Sequence, residues 1–151
     1  MIVYLDASAL VKRYVVERGT DDVAQLIGSA AAVGTSLISR AETSAALTKA
    51  VRLGVLSRDA GAAALQVFRS EWPQLVRVQA TELVLARADA LSWDLGLRGY
   101  DAVHLAAALI WQEGVRESVT LATFDRQLWD AAQMEGLATF PEDLPTWLAQ
   151  A

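Results

Sequence analysis

The sequence predicts an α/β fold, with a central, mainly parallel sheet of four to five strands between layers of helices. Three observations predict it. Ile2 to Leu5 is an unbroken apolar run with two β-branched members, which reads as a strand with no polar face. Short apolar runs of this kind alternate with longer segments of helical period along the whole chain. Acidic or hydroxyl residues stand where strands run into helices, at Asp6, at Ser39 and at Thr123 to Asp125.

The elements follow in order. After Ile2 to Leu5 comes Asp6, then Leu10, Val11, Tyr14 and Val15 at helical spacing. Glu17 to Thr20 ends that helix, and Asp21 and Asp22 open a short one to about Ile27, where negative charge suits the helix dipole. Val33 to Ile38 reads as a second strand, with Gly34 as its weak point. Ser39 and Glu42 have capping-box spacing and open a helix to Leu53, which Gly54 stops. Ser57 or Asp59 starts a helix to about Trp72, and Pro73 ends it. Gln74 to Val78 is the third strand, and Thr81 caps a helix from Glu82 to Leu95. The loop Gly96 to Asp101 leads into Ala102 to Glu113, apolar almost all round and so central. Ser118 to Ala122 is the fourth strand, followed by Thr123-Phe124-Asp125 and a helix ending near Gly136. Leu137 to Phe140 is an edge strand before Pro141, and Leu144 to Leu148 is a terminal turn.

The 151 residues suit a single domain spanning 1–151, without repeats or linkers. A hydrophobic fraction of 54% and a mean hydropathy of +0.28 describe a chain with a large core, which disfavours disorder. No apolar run reaches the ~18 residues that span a bilayer, and the start lacks a basic secretory leader. There is no cysteine, which removes disulfides and zinc–thiolate chemistry. A cytoplasmic protein is the expectation. The net charge of −5 speaks against nucleic-acid binding by bulk charge, but not against a nuclease with an acidic, metal-neutralised site.

Four acids stand out by position: Asp6, Glu42, Asp101 and Asp125. Each has a plain role when taken singly. Asp6 and Asp125 are N-caps, Glu42 answers Ser39, and Asp101 complements a helix dipole. Their conjunction points further. All four lie at helix starts, and in a parallel sheet such points share one edge, where ligands bind. Converged carboxylates repel, and either take up protons or hold a hard cation. Magnesium or manganese suits such oxygen donors and supports attack of water on a phosphodiester.

The ordered set MIVYLDASALVKRY, SRAETSAAL, RGYDAVHLAAAL and LATFDRQL resembles the PIN-domain family of metal-dependent ribonucleases, and its size and run of elements resemble the VapC-type toxins. The resemblance covers essentially the whole chain. It implies a three-layer α/β/α fold and cleavage of RNA with Mg2+ or Mn2+. It implies Asp6, Glu42, Asp101 and Asp125 as catalytic and metal-binding acids, Asp6 and Asp101 foremost. Glu42 would bind metal or orient water, and Asp125 would act directly or through water. It implies Ser8 and Thr123 as hydroxyls supporting the site, a homodimer, and a cognate VapB-type antitoxin that inhibits the enzyme.

Arg98 stands just before the site and suits a phosphate contact, and His104 shares a helix face with Asp101. The plainer role of His104, the only histidine, is a partly buried side chain bonded to a neighbour. Lys12, Arg13, Arg40, Lys49 and Arg52 flank the acidic helix starts and suit an RNA path, or an ordinary solvated face. The five tryptophans sit mostly at apolar helical positions, which favours packing over base stacking. Two rivals remain: a catalytically silent PIN-like module that binds RNA or protein, and a phosphoacceptor α/β domain. The second wants a further acid beside Asp6, where Ala7 and Ser8 stand instead.

Overall fold

The computed structural model describes residues 1–150. Its sheet comprises β1 (Ile2–Leu5), β2 (Ala32–Ser36), β3 (Val76–Val78), β4 (Val119–Ala122) and β5 (Ala138–Phe140). The strands run parallel in the order β3-β2-β1-β4-β5. The helices are α1 (Ala7–Leu10), α2 (Thr20–Ser29), α3 (Ser39–Arg52), α4 (Arg58–Glu71), α5 (Glu82–Leu95), α6 (Gly99–Val115), α7 (Arg126–Met134) and α8 (Leu144–Ala149). Among the described residues, no helix is long and apolar enough to cross a membrane.

The strand pleat sorts side chains into two cores, because successive residues point to opposite faces. Tyr4, Val119 and Leu121 pack with α5, α6 and α7. Val3, Leu5 and Ala122 pack with α1, α2 and α4. The result is a three-layer α/β/α sandwich. Helix α6 is buried from Ala102 to Leu109, and its alanines allow close packing against α5. β1 is the centre of the sheet. The chain moves outward from it to β2 and β3 on one side, and to β4 and β5 on the other. The end of β1 beside β4 is therefore the switch point where a crevice opens.

Several boundaries differ from the sequence reading, each for a local reason. β2 stops at Ser36, and the chain turns into α3 through Leu37, whose N–H donates to the Val78 carbonyl at 2.9 Å. The expected capping box does not form. Ile38 is the N-cap, and Ser39 is already helical. The Thr35 hydroxyl donates to the Leu5 carbonyl at 2.6 Å, and the Ser39 hydroxyl bonds Thr35 at 2.6 Å. This ties the start of α3 to the end of β1, and Glu42 is left free to point elsewhere. A 3-10 turn at Trp72–Gln74 delays β3 to Val76. α6 begins at Gly99, three residues early, and the last turn is the helix α8, capped by Asp143.

α8 is pinned near the switch point by an aromatic–cationic cluster. The Trp147 and Phe124 ring centroids are 4.7 Å apart. The Arg18 guanidinium lies 3.8 Å from the Trp147 ring centroid, and Lys12 Nζ lies 4.4 Å from that of Phe124. Lys12 is buried and donates to Glu17 Oε1 at 3.1 Å and the Arg18 carbonyl at 2.8 Å. It is thus a packing residue, not part of an exposed RNA path.

Gly34 has a packing reason too. A Cβ there would lie 2.7 Å from the Trp111 ring and 3.1 Å from the Val76 carbonyl oxygen. The bare backbone lets that ring lie on β2 beside Tyr4. Gly34→Ala therefore lowers unfolding stability by about 1–3 kcal/mol in urea titrations. Adding Trp111→Leu to that variant recovers part of the loss. An alanine variant as stable as the parent contradicts this packing.

Candidate active site

Asp6 is the floor of the crevice. It leaves β1 in an extended conformation and caps α1, its Oδ1 accepting from Ala9 N–H at 2.9 Å. The same oxygen accepts from the Ser8 hydroxyl at 2.7 Å, and Oδ2 accepts from the Thr123 hydroxyl at 2.6 Å. Ser8 Oγ in turn accepts from Phe124 N–H at 3.0 Å, and Thr123 Oγ1 from Asp125 N–H at 3.1 Å. Two hydroxyls thus lock the start of α1 to the β4–α7 junction. Asp6 is 3% exposed. Burial raises its pKa, against the opposing pull of the nearby His104 ring and the hydrogen bonds from Thr123, Ser8 and Ala9.

Glu42 lies in the first turn of α3, and its Oε1 is 2.7 Å from His104 Nε2. His104 is fully buried in α6, and its Nδ1 is 2.8 Å from the Tyr4 hydroxyl. Burial, then the charges of Asp6 and Glu42, push the Tyr4 pKa well up, so Tyr4 stays a phenol. The phenol donates to Nδ1, which assigns the proton on Nε2 to the Glu42 carboxylate. The relay Tyr4–His104–Glu42 fixes one oxygen of Glu42 from the core outward. Tyr4 was missed in the sequence as one member of an apolar run. The available signal was that a buried tyrosine needs a partner for its hydroxyl.

Asp101 and Asp125 form the outer pair. Asp125 caps α7, with Oδ1 accepting from Leu128 N–H at 2.9 Å. Asp101 sits in the first turn of α6. One guanidinium joins them. Arg98 Nη2 is 2.7 Å from Asp125 Oδ2 and 3.0 Å from Asp101 Oδ2, and Nε donates to the latter at 3.1 Å. Burial raises the Asp101 pKa first and the Asp125 charge raises it further, with Arg98 and His104 opposing. The Arg98 side chain itself is 71% exposed.

The structure therefore brings the four acids to one edge of the sheet as linked groups. Asp6 is tied by hydroxyls, Glu42 by His104, and Asp101 with Asp125 by Arg98. Among the described residues, no three acidic or imidazole groups gather tightly enough to ligate one ion as they stand. The donor set nevertheless fits a hard divalent cation. It offers carboxylate and hydroxyl oxygens without sulfur. Asp101 and Asp125 already converge on a positive group, and among the described residues Asp6 has no cationic bonding partner. Of the other basic residues, Arg40 is exposed and lines a groove with Leu65 and Arg69 of α4, while Arg13 pairs with Glu71 at 3.3 Å. Lys49 and Arg52 lie at the far end of α3, roughly 10–15 Å along the helix from Glu42. Trp72 and Trp129 are buried, whereas Trp93 is exposed.

The PIN domain profile matches residues 3–133. Ribonuclease VapC45 of Mycobacterium tuberculosis is 33% identical over 143 residues, covering 95% of this chain and 97% of its own. Among solved structures, PAE2754 from Pyrobaculum aerophilum aligns with a TM-score of 0.65 at 21% identity, covering 99% of this chain and 91% of that one. VapBC2 from Rickettsia felis, bound to a DNA fragment from its promoter, aligns with a TM-score of 0.61 at 15% identity, covering 92% and 97%.

The raised pKa of Asp6 sets a pH dependence. The folded protein holds this proton more tightly than the unfolded chain, whose carboxyl titrates near 3.8. The group thus favours the fold below that value, and the benefit is lost as pH rises through the higher folded value. Without metal, ionising Asp6 is therefore a net cost to the fold. In chelator, Asp6→Asn raises the melting temperature by about 2–4 °C at pH 7, and the gap closes towards pH 4. A gap that widens on acidification means that the hydrogen bonds outweigh burial.

Proposed function

The chain belongs to the PIN-domain family, among its VapC-type members, and from that premise we propose that it is an endoribonuclease and the toxin of a type II toxin–antitoxin pair. The observation that carries the reading is the grouping at the end of β1. A buried carboxylate at a sheet switch point faces two half-open ones on helix starts, and a fourth is oriented from the core. The VapC ribonuclease relative of matching length supports the reaction, and the similarity to a VapBC assembly supports an antitoxin partner.

Asp6, Glu42, Asp101 and Asp125 would hold Mg2+ or Mn2+. When bound, the ion supplies charge neutralisation and a more acidic water for hydrolysis of the RNA phosphodiester. The chain's own residues do the rest. Ser8 and Thr123 keep both oxygens of Asp6 in fixed directions, so the carboxylate does not reorganise during the reaction. The Tyr4–His104 relay holds one oxygen of Glu42 and suits the other to orient water. His104 is thus a positioning residue, since its two ring nitrogens are engaged by Tyr4 and Glu42. Arg98 supplies positive charge at the rim of an otherwise acidic protein. We read the chain as one domain working in the cytoplasm, as a homodimer.

Incubation of a structured RNA pool with the protein and Mn2+ gives endonucleolytic fragments. EDTA abolishes them, and Asp6→Asn or Asp101→Asn lowers the rate at least about a hundredfold. RNA binding without cleavage, unchanged in both variants, identifies a silent binding module instead.

A further inference from the structure

Arg98 bridges two of the four acids, and among the described residues its side chain has no other bonding partner. Its guanidinium reaches Asp101 and Asp125 through Nη2 and Nε, while its side chain is 71% exposed. It precedes α6 as the N-cap residue but makes no side-chain cap bond. An arginine whose only described side-chain partners are two carboxylates at a phosphodiesterase site is not serving the fold. Asp6, Glu42 and Asp125 are each also held by protein donors, whereas Asp101 is bonded through Arg98 alone among the described side-chain hydrogen bonds. The bridge therefore answers a local excess of negative charge, the same excess that a divalent cation would answer.

We propose that Arg98 is a built-in counter-ion that competes with the divalent cation for Asp101 and Asp125, and that passes to an RNA phosphate once the cation takes its place. The inference rests on the nuclease reading above. Its chemistry is that of an exchange of partners. A guanidinium cannot lose its proton near neutral pH, so it stays positive when displaced. Its planar fork matches two oxygens of a phosphodiester as well as it matches carboxylates. High exposure leaves the side chain room to turn between them. Water reaches the guanidinium and screens its contacts, so they are weak enough to exchange.

Two opposite effects in one variant test this. Calorimetric titration with Mn2+ alone gives roughly three- to tenfold tighter binding to Arg98→Ala than to the parent protein. The same variant raises KM for RNA severalfold, with a smaller change in kcat. Arg98→Lys lies between the two, because an ammonium keeps the charge but not the fork. A residue that merely supported the fold would weaken both kinds of binding together, and thermal melting separates that case. Unchanged or weaker Mn2+ binding in Arg98→Ala overturns the inference, provided the parent binds Mn2+ and Asp101→Asn does not. A parent that binds no Mn2+ overturns the metal-dependent reading itself, and this inference with it.

Discussion

The structure depends on the cost of placing negative charge at the end of a central strand. β1 is buried on both faces and paired on both edges, so a carboxylate that ends it cannot escape into water. Asp6 stays in place because three donors converge on its two oxygens, one from its own helix, one from Ser8 and one from Thr123. Each donor belongs to a turn that must take one conformation for the bond to form. The charge thus selects the geometry of two strand–helix junctions at once.

The other acids relieve the same strain in different ways. Glu42 leans on a buried imidazole that is itself held by a phenol from β1. Asp101 and Asp125 share a guanidinium from the loop before α6. Layer packing makes this economy workable. α6 is buried from Ala102 to Leu109, so His104 and Asp101 are carried on a rigid rod that cannot drift from the sheet. The hydrophobic interior and the acidic edge are therefore one design, with the alanine-rich helix as the link between them.

The strands, the order of the helices and the position of each acid at a helix start were legible because they are local. Apolar period, caps and breakers lie within a few residues of one another. Tyr4 and His104 are 100 residues apart, and no local pattern pairs them. The capping box failed for the same reason. Ser39 and Glu42 have the right spacing, but His104 takes Glu42 from 62 residues away, and Thr35, four residues back, takes the Ser39 hydroxyl. Lys12 misled because a lysine near an acidic junction reads as solvated, whereas its ammonium lies over the Phe124 and Trp147 rings. The bridge from Arg98 to Asp125 was hidden for the same reason, since 27 residues separate the two.

The strand order has a consequence for the chain during its synthesis. β1 is made first, but its second neighbour is β4, and Thr123 follows Asp6 by 117 residues. At translation speeds of about 5–20 residues per second, that interval lasts on the order of ten seconds. Throughout it the nascent polypeptide carries Asp6 without Thr123 and without Asp125. A protein able to cut RNA is thus assembled beside ribosomes in a form that has no completed edge on which to do so.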